Sequence, residues 1–240
     1  MSDSQSAQQL PLLPDDFASA LVIVAHPDDP EYGIGAAVSA WTRAGKRVGY
    51  VLASRGEAGI EGMDPGRSAV VRTAEQEAAC AEVGVDSLVF LDQPDGRILQ
   101  TAQLRTAIAR EIRSFRPDIV VLLNFQQTWG GRHFNSADHR NLGQAAIDAI
   151  GDAGNEWIVP GARYDGVQRV LEFGADPTHR VDVTDDLDRA IASLACHHEY
   201  LAALSDTPVE EQAETIIRSS LLWEGDRAHQ IGRASCRERV

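Results

Sequence analysis

The segment AHPDDPE, residues 25–31, places one imidazole and two carboxylates within four residues of each other. His26, Asp28 and Asp29 offer the nitrogen and oxygen donors that zinc takes in catalytic sites, where one position stays open for water. Two adjacent Asp side chains do not easily share one ligand position, so we expect one to bind a metal ion and the other to act on water. The alternative is structural, with His26 closing a strand and the two carboxylates capping the next helix.

A third metal ligand has to come from elsewhere in the chain. His139 lies in the segment SADHR, at the predicted start of a helix, and His133 lies six residues earlier in a loop. His197 and His198 lie on a later predicted helix. A single histidine is more often structural than a ligand, so residue type alone leaves the third ligand open.

Short apolar runs alternate with helix-like segments between about residues 20 and 205. The run Leu21–Ala25 has the pattern of a strand buried on both faces. Further strands are predicted at 48–53, 87–91, 118–123, 168–173 and 179–183, helices at 33–44, 68–82, 102–115, 137–150, 187–204 and 209–222, and a loop at 124–136. This alternation predicts an α/β fold, a Rossmann-like three-layer sandwich with a mostly parallel sheet.

The predicted sheet brings the candidate residues to one edge. Ligands bind at the carboxyl ends of the strands in an open parallel sheet, and AHPDDPE directly follows the first strand. His139 begins the helix after the fourth strand, which we expect to lie close to the first. Because no GxGxxG segment follows the first strand, a nicotinamide-dependent oxidoreductase is disfavoured.

Composition and charge exclude several classes of function. The chain has 240 residues, 43% of them hydrophobic, and its net charge of −14 argues against a nucleic-acid or anionic-membrane partner. No window approaches the ~18 uncharged apolar residues of a membrane span, and the N-terminus lacks the pattern of a secretion signal. Cys80, Cys196 and Cys236 are too few and too scattered for a disulfide framework, so a cytoplasmic location is expected.

The two ends of the chain differ from its middle. Residues 1–18 are polar and broken by two prolines, so we expect a flexible tail, followed by a single domain over residues 19–230. Residues 231–240, IGRASCRERV, match codon for codon the translation of a common sequencing-library adapter, and we interpret them as non-native sequence. A genuine basic tail is the alternative. An uninterrupted genomic reading frame from Gln230 into these residues would refute the interpretation.

The order of motifs along residues 20–205 resembles the LmbE-like, or PIG-L-type, family of zinc-dependent N-deacetylases. The matching segments are AHPDDPE, SRGEAG at 54–59, RTAE at 72–75, FLDQPDG at 90–96, ADHR at 137–140 and VDVTDDLDRAIASLACHHEY at 181–200. The first segment combined with the later DHR is the most specific. The resemblance implies a Rossmann-like fold and one divalent metal ion, usually Zn²⁺, with Fe²⁺ or another divalent ion as an alternative. Short members oligomerise variably, so a homo-oligomer is possible.

The resemblance also implies roles for single residues. His26, Asp29 and His139 become the metal ligands, and Asp28 becomes the general base that takes a proton from the attacking water. Cleavage of an acetamide in this way releases acetate and a free amino sugar.

Substrate contacts are implied at two further positions. Arg72 and Asp95 match positions that tend to face the substrate in the family, although a helix-surface Arg and an Asp in a Pro-Asp-Gly turn are the structural alternatives. Trp129 is a candidate platform for a sugar ring, with a packed loop residue as the alternative.

One departure from the family bears on proton transfer. The family commonly has HPDH, whose first His is assigned as the general acid and is paired with the Asp, whereas this chain has SADH with Ser136 at that position. His133, on the same loop, is our candidate replacement, and the metal with a water is the alternative. Asp138 is expected to orient a histidine.

The sequence therefore predicts a metal-dependent hydrolase that removes an acetyl group from an N-acetylated amino sugar or its conjugate. The expected partner is a small-molecule N-acetylated glycoside or conjugate. An amidase acting on a larger acyl or peptide-like amide is the alternative in the same class. A catalytically impaired sugar-binding homologue, motivated by Ser136, is the alternative from another class.

Overall fold

Strands and helices alternate from β1 to β4 in the order that the apolar runs predict. The computed structural model describes residues 10–129, 131, 133–174, 177–222 and 228–236. The strands are β1 Ser19–Val24, β2 Arg47–Leu52, β3 Ser87–Phe90, β4 Ile119–Leu123, β5 Thr128–Trp129, β6 His133–Phe134, β7 Arg169–Phe173, β8 Pro177–Asp182, β9 Leu221–Leu222 and β10 Ala228–Cys236. The helices are α1 Asp29–Gly33, α2 Gly35–Arg43, α3 Pro65–Val83, α4 Ala102–Phe115, α5 Ala137–Ala153, α6 Leu187–Ala195, α7 His198–Leu204 and α8 Val209–Ser220.

The main sheet has the strand order β3-β2-β1-β4-β7-β10-β8. The first five of these strands run parallel, and β10 is antiparallel to both β7 and β8. Because β1 and β4 are neighbours, the segments that follow them begin side by side at one edge of the sheet. This topology confirms the predicted α/β fold with a mostly parallel sheet.

Helices cover both faces of the sheet, which is why β1 is apolar at consecutive positions. Val22 and Val24 belong to one buried cluster with residues of α2, α3, α6 and α8. Leu21 and Ile23 point to the opposite face and join the buried residues of α4 and α5. Alternate side chains of one strand thus enter separate halves of the core, as in other three-layer folds.

Two helices that carry candidate residues begin at side-chain caps. The Asp64 carboxylate accepts hydrogen bonds from the backbone N–H groups of Gly66 and Arg67 at the start of α3. The Ser136 hydroxyl accepts one from the N–H of Asp138 at the start of α5. These caps satisfy donors that have no partner within a helix, and they fix where each helix starts.

The structure differs from the predicted elements in several places. The helix predicted at 209–222 ends at Ser220, and strands β9 and β10 follow it, neither of which was predicted. The helix predicted at 33–44 is preceded by a separate short helix, α1, which ends at Gly33. The helix predicted at 187–204 is broken at Cys196 and His197 into α6 and α7. The loop predicted at 124–136 contains a small hairpin of β5 and β6.

The two ends of the chain contact the rest of the structure where they are described. In the predicted tail, the N–H of Leu13 donates to the carbonyl of Arg180 at 2.8 Å, and the buried Phe17 ring packs edge-on against Trp41. Residues 1–9 of the predicted tail lie outside the described residues. At the other end β10 includes residues 231–236, while 237–240 lie outside the described part, and their interpretation as non-native stays a prediction.

Within the described part of the chain, none of the helices has the length and apolar character needed to cross a membrane.

Candidate active site

The loop after β1 folds the Asp29 carboxylate back onto its own backbone. Asp29 Oδ2 accepts hydrogen bonds from the N–H groups of Ala25 at 3.0 Å and His26 at 2.9 Å. The other oxygen, Oδ1, lies 3.3 Å from Nε2 of His139, which is on the first turn of α5. The ends of β1 and β4 therefore bring Asp29 and His139 together, as the predicted topology required.

Asn135 determines the tautomer of His139. Its side-chain amide nitrogen donates to the carbonyl oxygens of Asn124 and Gln126, so its Oδ1 is the atom that faces His139 Nδ1 at 2.9 Å. Nδ1 must then carry the proton, which leaves the lone pair on Nε2. That nitrogen is buried without a hydrogen-bond partner and points toward Asp29, as a metal-ligating imidazole does.

His26 is oriented in the same way by two carboxylates. Its Nε2 lies 3.2 Å from Asp138 Oδ2 and 3.1 Å from Asp95 Oδ1, so this nitrogen carries a proton. Its Nδ1 lies 3.5 Å from Asp29 Oδ2 and is the ring nitrogen at which a metal ion would replace a proton. The histidine that Asp138 contacts is His26, and the role of Asp138 in orienting it stays a prediction.

The residues present fit a divalent metal ion. His26, Asp29 and His139 each offer one donor atom, and these atoms all lie within 4.8 Å of one another. Two imidazoles and a carboxylate are a ligand set of catalytic zinc sites.

Burial alone would raise the pKa of Asp29, but its contacts with His139 and His26 hold that pKa well below its usual range. Burial would lower the pKa of His26, but Asp138 and Asp29 raise it well above its ordinary value. The carboxylates around His26 and Asp29 therefore favour a positive charge between the three proposed ligands.

Asp28 is buried beside these ligands but faces a different partner. Its Oδ2 lies 3.0 Å from Nη2 of Arg72, and it lines the same pocket as Asp29 and His139. Burial raises the pKa of the Asp28 carboxyl to about 6, against the opposing charge of Arg72. The two adjacent carboxylates therefore have separate partners, and their division into a metal ligand and a general base stays a prediction.

Arg72 lies beneath Asp28 and is itself buried. Its Nη2 donates to the carbonyl of Pro27 at 2.6 Å, and its guanidinium stacks on the ring of Tyr200 at 3.9 Å. A Cβ at Gly59 would lie 2.4 Å from its Nη1, and one at Gly56, whose φ is +65°, would lie 2.7 Å away. The glycines of SRGEAG therefore make room for this side chain. The predicted substrate contact of Arg72 stays a prediction.

Asp138 and Asp95 are held by backbone donors. Asp138 Oδ2 accepts from the N–H of Gly96 at 2.7 Å, and its Oδ1 accepts from that of Ile98 at 3.0 Å. Asp95 Oδ2 accepts from the N–H of Ala58 at 2.8 Å. The loop carrying FLDQPDG thus packs against His26, and a substrate contact of Asp95 remains a prediction.

The structure places the candidate general acid apart from this cluster. His133 lies in β6, pairs with Trp129 of β5, and has an exposed side chain. It is not among the described residues that line the pocket, whereas Trp129 lines it and meets the His139 ring edge-on at 6.1 Å. Ser136 is committed to capping α5.

A pocket of about 500 Å³ opens in front of the cluster. Carboxylates and an imidazole form one part of its wall, and aromatic rings form much of the rest. The described lining residues are Asp28, Asp29, Tyr32, Gly33, Leu123, Trp129, His139, Phe173, Gly174, Tyr200 and Ser220.

Comparison with known proteins identifies the family. The sequence model described as PIG-L: GlcNAc-PI de-N-acetylase matches residues 21–150, which include β1 to β4 and most of α5. The chain belongs to the PIG-L family.

The similar proteins include curated deacetylases and a solved structure. The diacetylchitobiose deacetylase of Thermococcus kodakarensis is 28% identical over 190 residues, covering 76% of this chain and 70% of that protein. The 1D-myo-inositol 2-acetamido-2-deoxy-alpha-D-glucopyranoside deacetylase of Kineococcus radiotolerans is 29% identical over 163 residues, or 54% of this chain and 44% of that protein. The N,N'-diacetylchitobiose deacetylase of Pyrococcus horikoshii superposes with a TM-score of 0.81 at 21% identity, covering 92% of this chain and 85% of that one, which shows a shared fold.

Sequence reasoning about this PIG-L family member missed several residues around the site. Asn135 is hydrogen-bonded to a proposed ligand, and its spacing of four residues from His139 is the only pattern that hinted at the contact. Glu31, Gln76 and His197 form a buried set behind Asp28. They belong to three separate segments, so no local pattern could have grouped them.

Proposed function

We propose that the chain is a metal-dependent N-deacetylase that hydrolyses the acetamido group of an N-acetylated amino sugar or its conjugate. The observation that carries the proposal is the convergence of His26, Asp29 and His139 on one point at the wall of the pocket, with Asp28 beside them. Membership of the PIG-L family supports it, as do two relatives whose names describe deacetylases of acetamido sugars.

Zinc is the metal we propose for the three ligands, with Fe²⁺ as the alternative. Nitrogen and oxygen donors from two histidines and one aspartate suit either ion. When bound, a divalent ion supplies the Lewis acidity that makes water a competent nucleophile near neutral pH.

The remaining steps belong to the chain's own side chains. Asp28 accepts a proton as the water oxygen bonds to the amide carbon, and Arg72 keeps the carboxylate directed into the pocket through the 3.0 Å contact. The carbon–nitrogen bond then breaks, and the leaving nitrogen takes up a proton. Acetate and a free amino sugar result.

Two residues are candidates for delivering that last proton. We propose His133 because it lies on the segment that normally carries the family's acid, where this chain has Ser136. Asp28 is the second candidate, because it lines the pocket and already holds the proton taken from the water. Asp138 is better suited to orienting His26, since both of its oxygens accept backbone hydrogen bonds.

The pocket walls support a sugar conjugate as the substrate. Trp129, Tyr32 and Tyr200 line the pocket, and aromatic rings are suitable partners for the apolar side of a sugar ring. These aromatic residues lie beside the carboxylates, so one ligand can contact both. We therefore place the sugar ring along this wall, with its acetamido group toward the three metal ligands.

The experiment that tests the function is amine release from acetamido sugars. The protein is chelated, reloaded with Zn²⁺ or Fe²⁺, and incubated with N-acetylglucosamine conjugates and diacetylchitobiose. Metal-dependent appearance of a primary amine, lost in Asp28→Asn, is the expected result. Amine release from acylated peptides alone would favour the amidase. Tight binding of the same sugars without any amine would overturn the enzyme assignment in favour of a sugar-binding protein.

A further inference from the structure

Asp28 holds a backbone conformation that residues other than glycine rarely adopt. Its φ is 86° and its ψ is −30°, and of the described non-glycine residues only Asp92 and Arg116 share a positive φ. Such a conformation persists at a functional site only when the surrounding structure imposes it. Arg72 contacts the Asp28 carboxylate and the carbonyl oxygen of Pro27, but it does not bind the N–H of Asp28.

The backbone of Asp28 is held by a hydrogen-bonded series of buried side chains. The N–H of Asp28 donates to Oε1 of Gln76 at 3.0 Å. Nε2 of Gln76 donates to Oε1 of Glu31 at 3.0 Å, and Oε2 of Glu31 lies 3.1 Å from Nε2 of His197. The series joins α3, α1 and the break between α6 and α7.

The direction of each hydrogen bond follows from the chemistry of these groups. A carboxylate can only accept hydrogen bonds. One oxygen of Glu31 therefore accepts from Gln76, and the other accepts from His197. Gln76 must therefore turn its NH₂ group toward Glu31 and its carbonyl oxygen toward Asp28. Gln76, Glu31 and His197 are fully buried, so solvent offers no substitute partner.

We propose that Gln76 is a positioning residue for Asp28, and that Glu31 and His197 fix the orientation of its amide. The inference rests on the proposed role of Asp28 as the general base. It adds a function for three side chains that are neither among the described residues lining the pocket nor among the proposed metal ligands.

The first test replaces Gln76 by Met, which keeps the length of the side chain and removes the amide. In the metal-loaded full chain, we expect kcat to fall about 10- to 100-fold, since small displacements of a catalytic group have effects of this size. KM should stay within about twofold of wild type because binding contacts are untouched. Metal content should not change. Ser193→Ala is the matched control, because it removes a buried hydrogen bond from α6 to α3 that involves none of Gln76, Glu31 and His197, and it should leave kcat unchanged.

Exchanging the amide at position 76 with the carboxylate at position 31 tests whether a restored hydrogen-bond series rescues kcat. Gln76→Glu alone sets two carboxylates against each other and should be severely impaired. Combining Gln76→Glu with Glu31→Gln preserves every hydrogen bond, because the carboxylate now accepts from Asp28 and from the new amide, whose oxygen accepts from His197. The double variant should recover most of the kcat lost by Gln76→Glu, the coupling expected for groups in one network.

Two further measurements separate positioning from general stability. In an Asp28→Asn background, Gln76→Met should cause no additional loss of residual turnover, because its effect passes through the missing carboxylate. The amide hydrogen of Asp28 should exchange faster in Gln76→Met than in wild type or Ser193→Ala, a readout that needs no substrate.

The outcomes distinguish this inference from the proposed function. Wild-type kcat in Gln76→Met, unchanged exchange of the Asp28 amide, or an equal loss in the Asp28→Asn background would overturn the positioning role. Absence of amine release from the wild type would instead overturn the deacetylase assignment, and the exchange measurement would still decide whether Gln76 holds the backbone.

Discussion

Replacing Asp138 by Asn should weaken metal binding although Asp138 is not itself a proposed ligand. Oδ2 of Asp138 accepts from the N–H of Gly96 and lies 3.2 Å from Nε2 of His26, while Oδ1 accepts from Ile98. All three partners are donors, and an Asn side chain has only one oxygen. If the NH₂ group takes the place of Oδ1, Ile98 loses its acceptor. If it takes the place of Oδ2, Gly96 and His26 lose theirs, and His26 keeps only its contact with Asp95.

The size of the effect follows from what these contacts do. Loss of an outer carboxylate that orients a metal-bound histidine costs about 10- to 100-fold in affinity, which corresponds to about 1.4–2.7 kcal/mol. If the amide oxygen stays with Gly96 and His26, the buried N–H of Ile98 is left without its acceptor, and the free energy of unfolding should fall by about 1–3 kcal/mol instead. One orientation of the new amide in Asp138→Asn therefore lowers the affinity for the metal ion, and the other lowers the free energy of unfolding.

Competition titration against a chromophoric chelator measures the Zn²⁺ affinity, and urea unfolding of the metal-free protein measures the stability. Asp148→Asn is the control, since Asp148 lies on the same helix, is partly exposed, and pairs with Gln100 and Arg105 away from the site. Unchanged Zn²⁺ affinity together with unchanged stability in Asp138→Asn would refute the reasoning, because it would mean that none of the three contacts matters.

Three further predictions concern the proposed roles directly. His139→Ala should lower metal content, measured by elemental analysis, and activity together, and full metal retention would remove His139 from the ligand set. Asp28→Asn should keep the metal but lose ~10²–10⁴ in turnover, because Asn cannot accept the proton; if it strips the metal while Asp29→Asn does not, the two roles are exchanged. His133→Ala should slow amine release without loss of metal, and Ser136→His should raise activity most in that background. Wild-type rates in both variants would mean that neither residue supplies the proton.

The sequence predicts the placement of the proposed ligands well, for a physical reason. A strand that is buried on both faces is apolar at consecutive positions, so β1 and β4 can be predicted from their continuous runs of apolar residues. The rules of parallel sheets then put the residues that follow them at one edge. His26, Asp29 and His139 meet there because their positions depend on these strands.

The parts that escaped prediction depend on contacts between distant segments. No glycine or proline marks the break at Cys196 and His197, and the segment reads as one continuous helix. The break turns the His197 ring inward to Glu31, a partner 166 residues away in the chain. Such a hydrogen bond depends on how the helices pack against each other, and the periodicity of apolar residues along one segment does not predict that packing.

The contact between Gly59 and Arg72 makes the order of evolutionary substitutions matter. The Nη1 atom of Arg72 is the closest obstacle to a side chain at position 59, so glycine is required there chiefly while the arginine is present. In a lineage that first shortened Arg72, a side chain at 59 would meet only the carbonyl oxygen of Gly56, at 3.2 Å, and larger residues there would cost less. Restoring the arginine would afterwards meet an occupied space, and the path back would be closed until position 59 reverted. The pair would thus act as a one-way step between descendants that keep the buried guanidinium and those that have lost it.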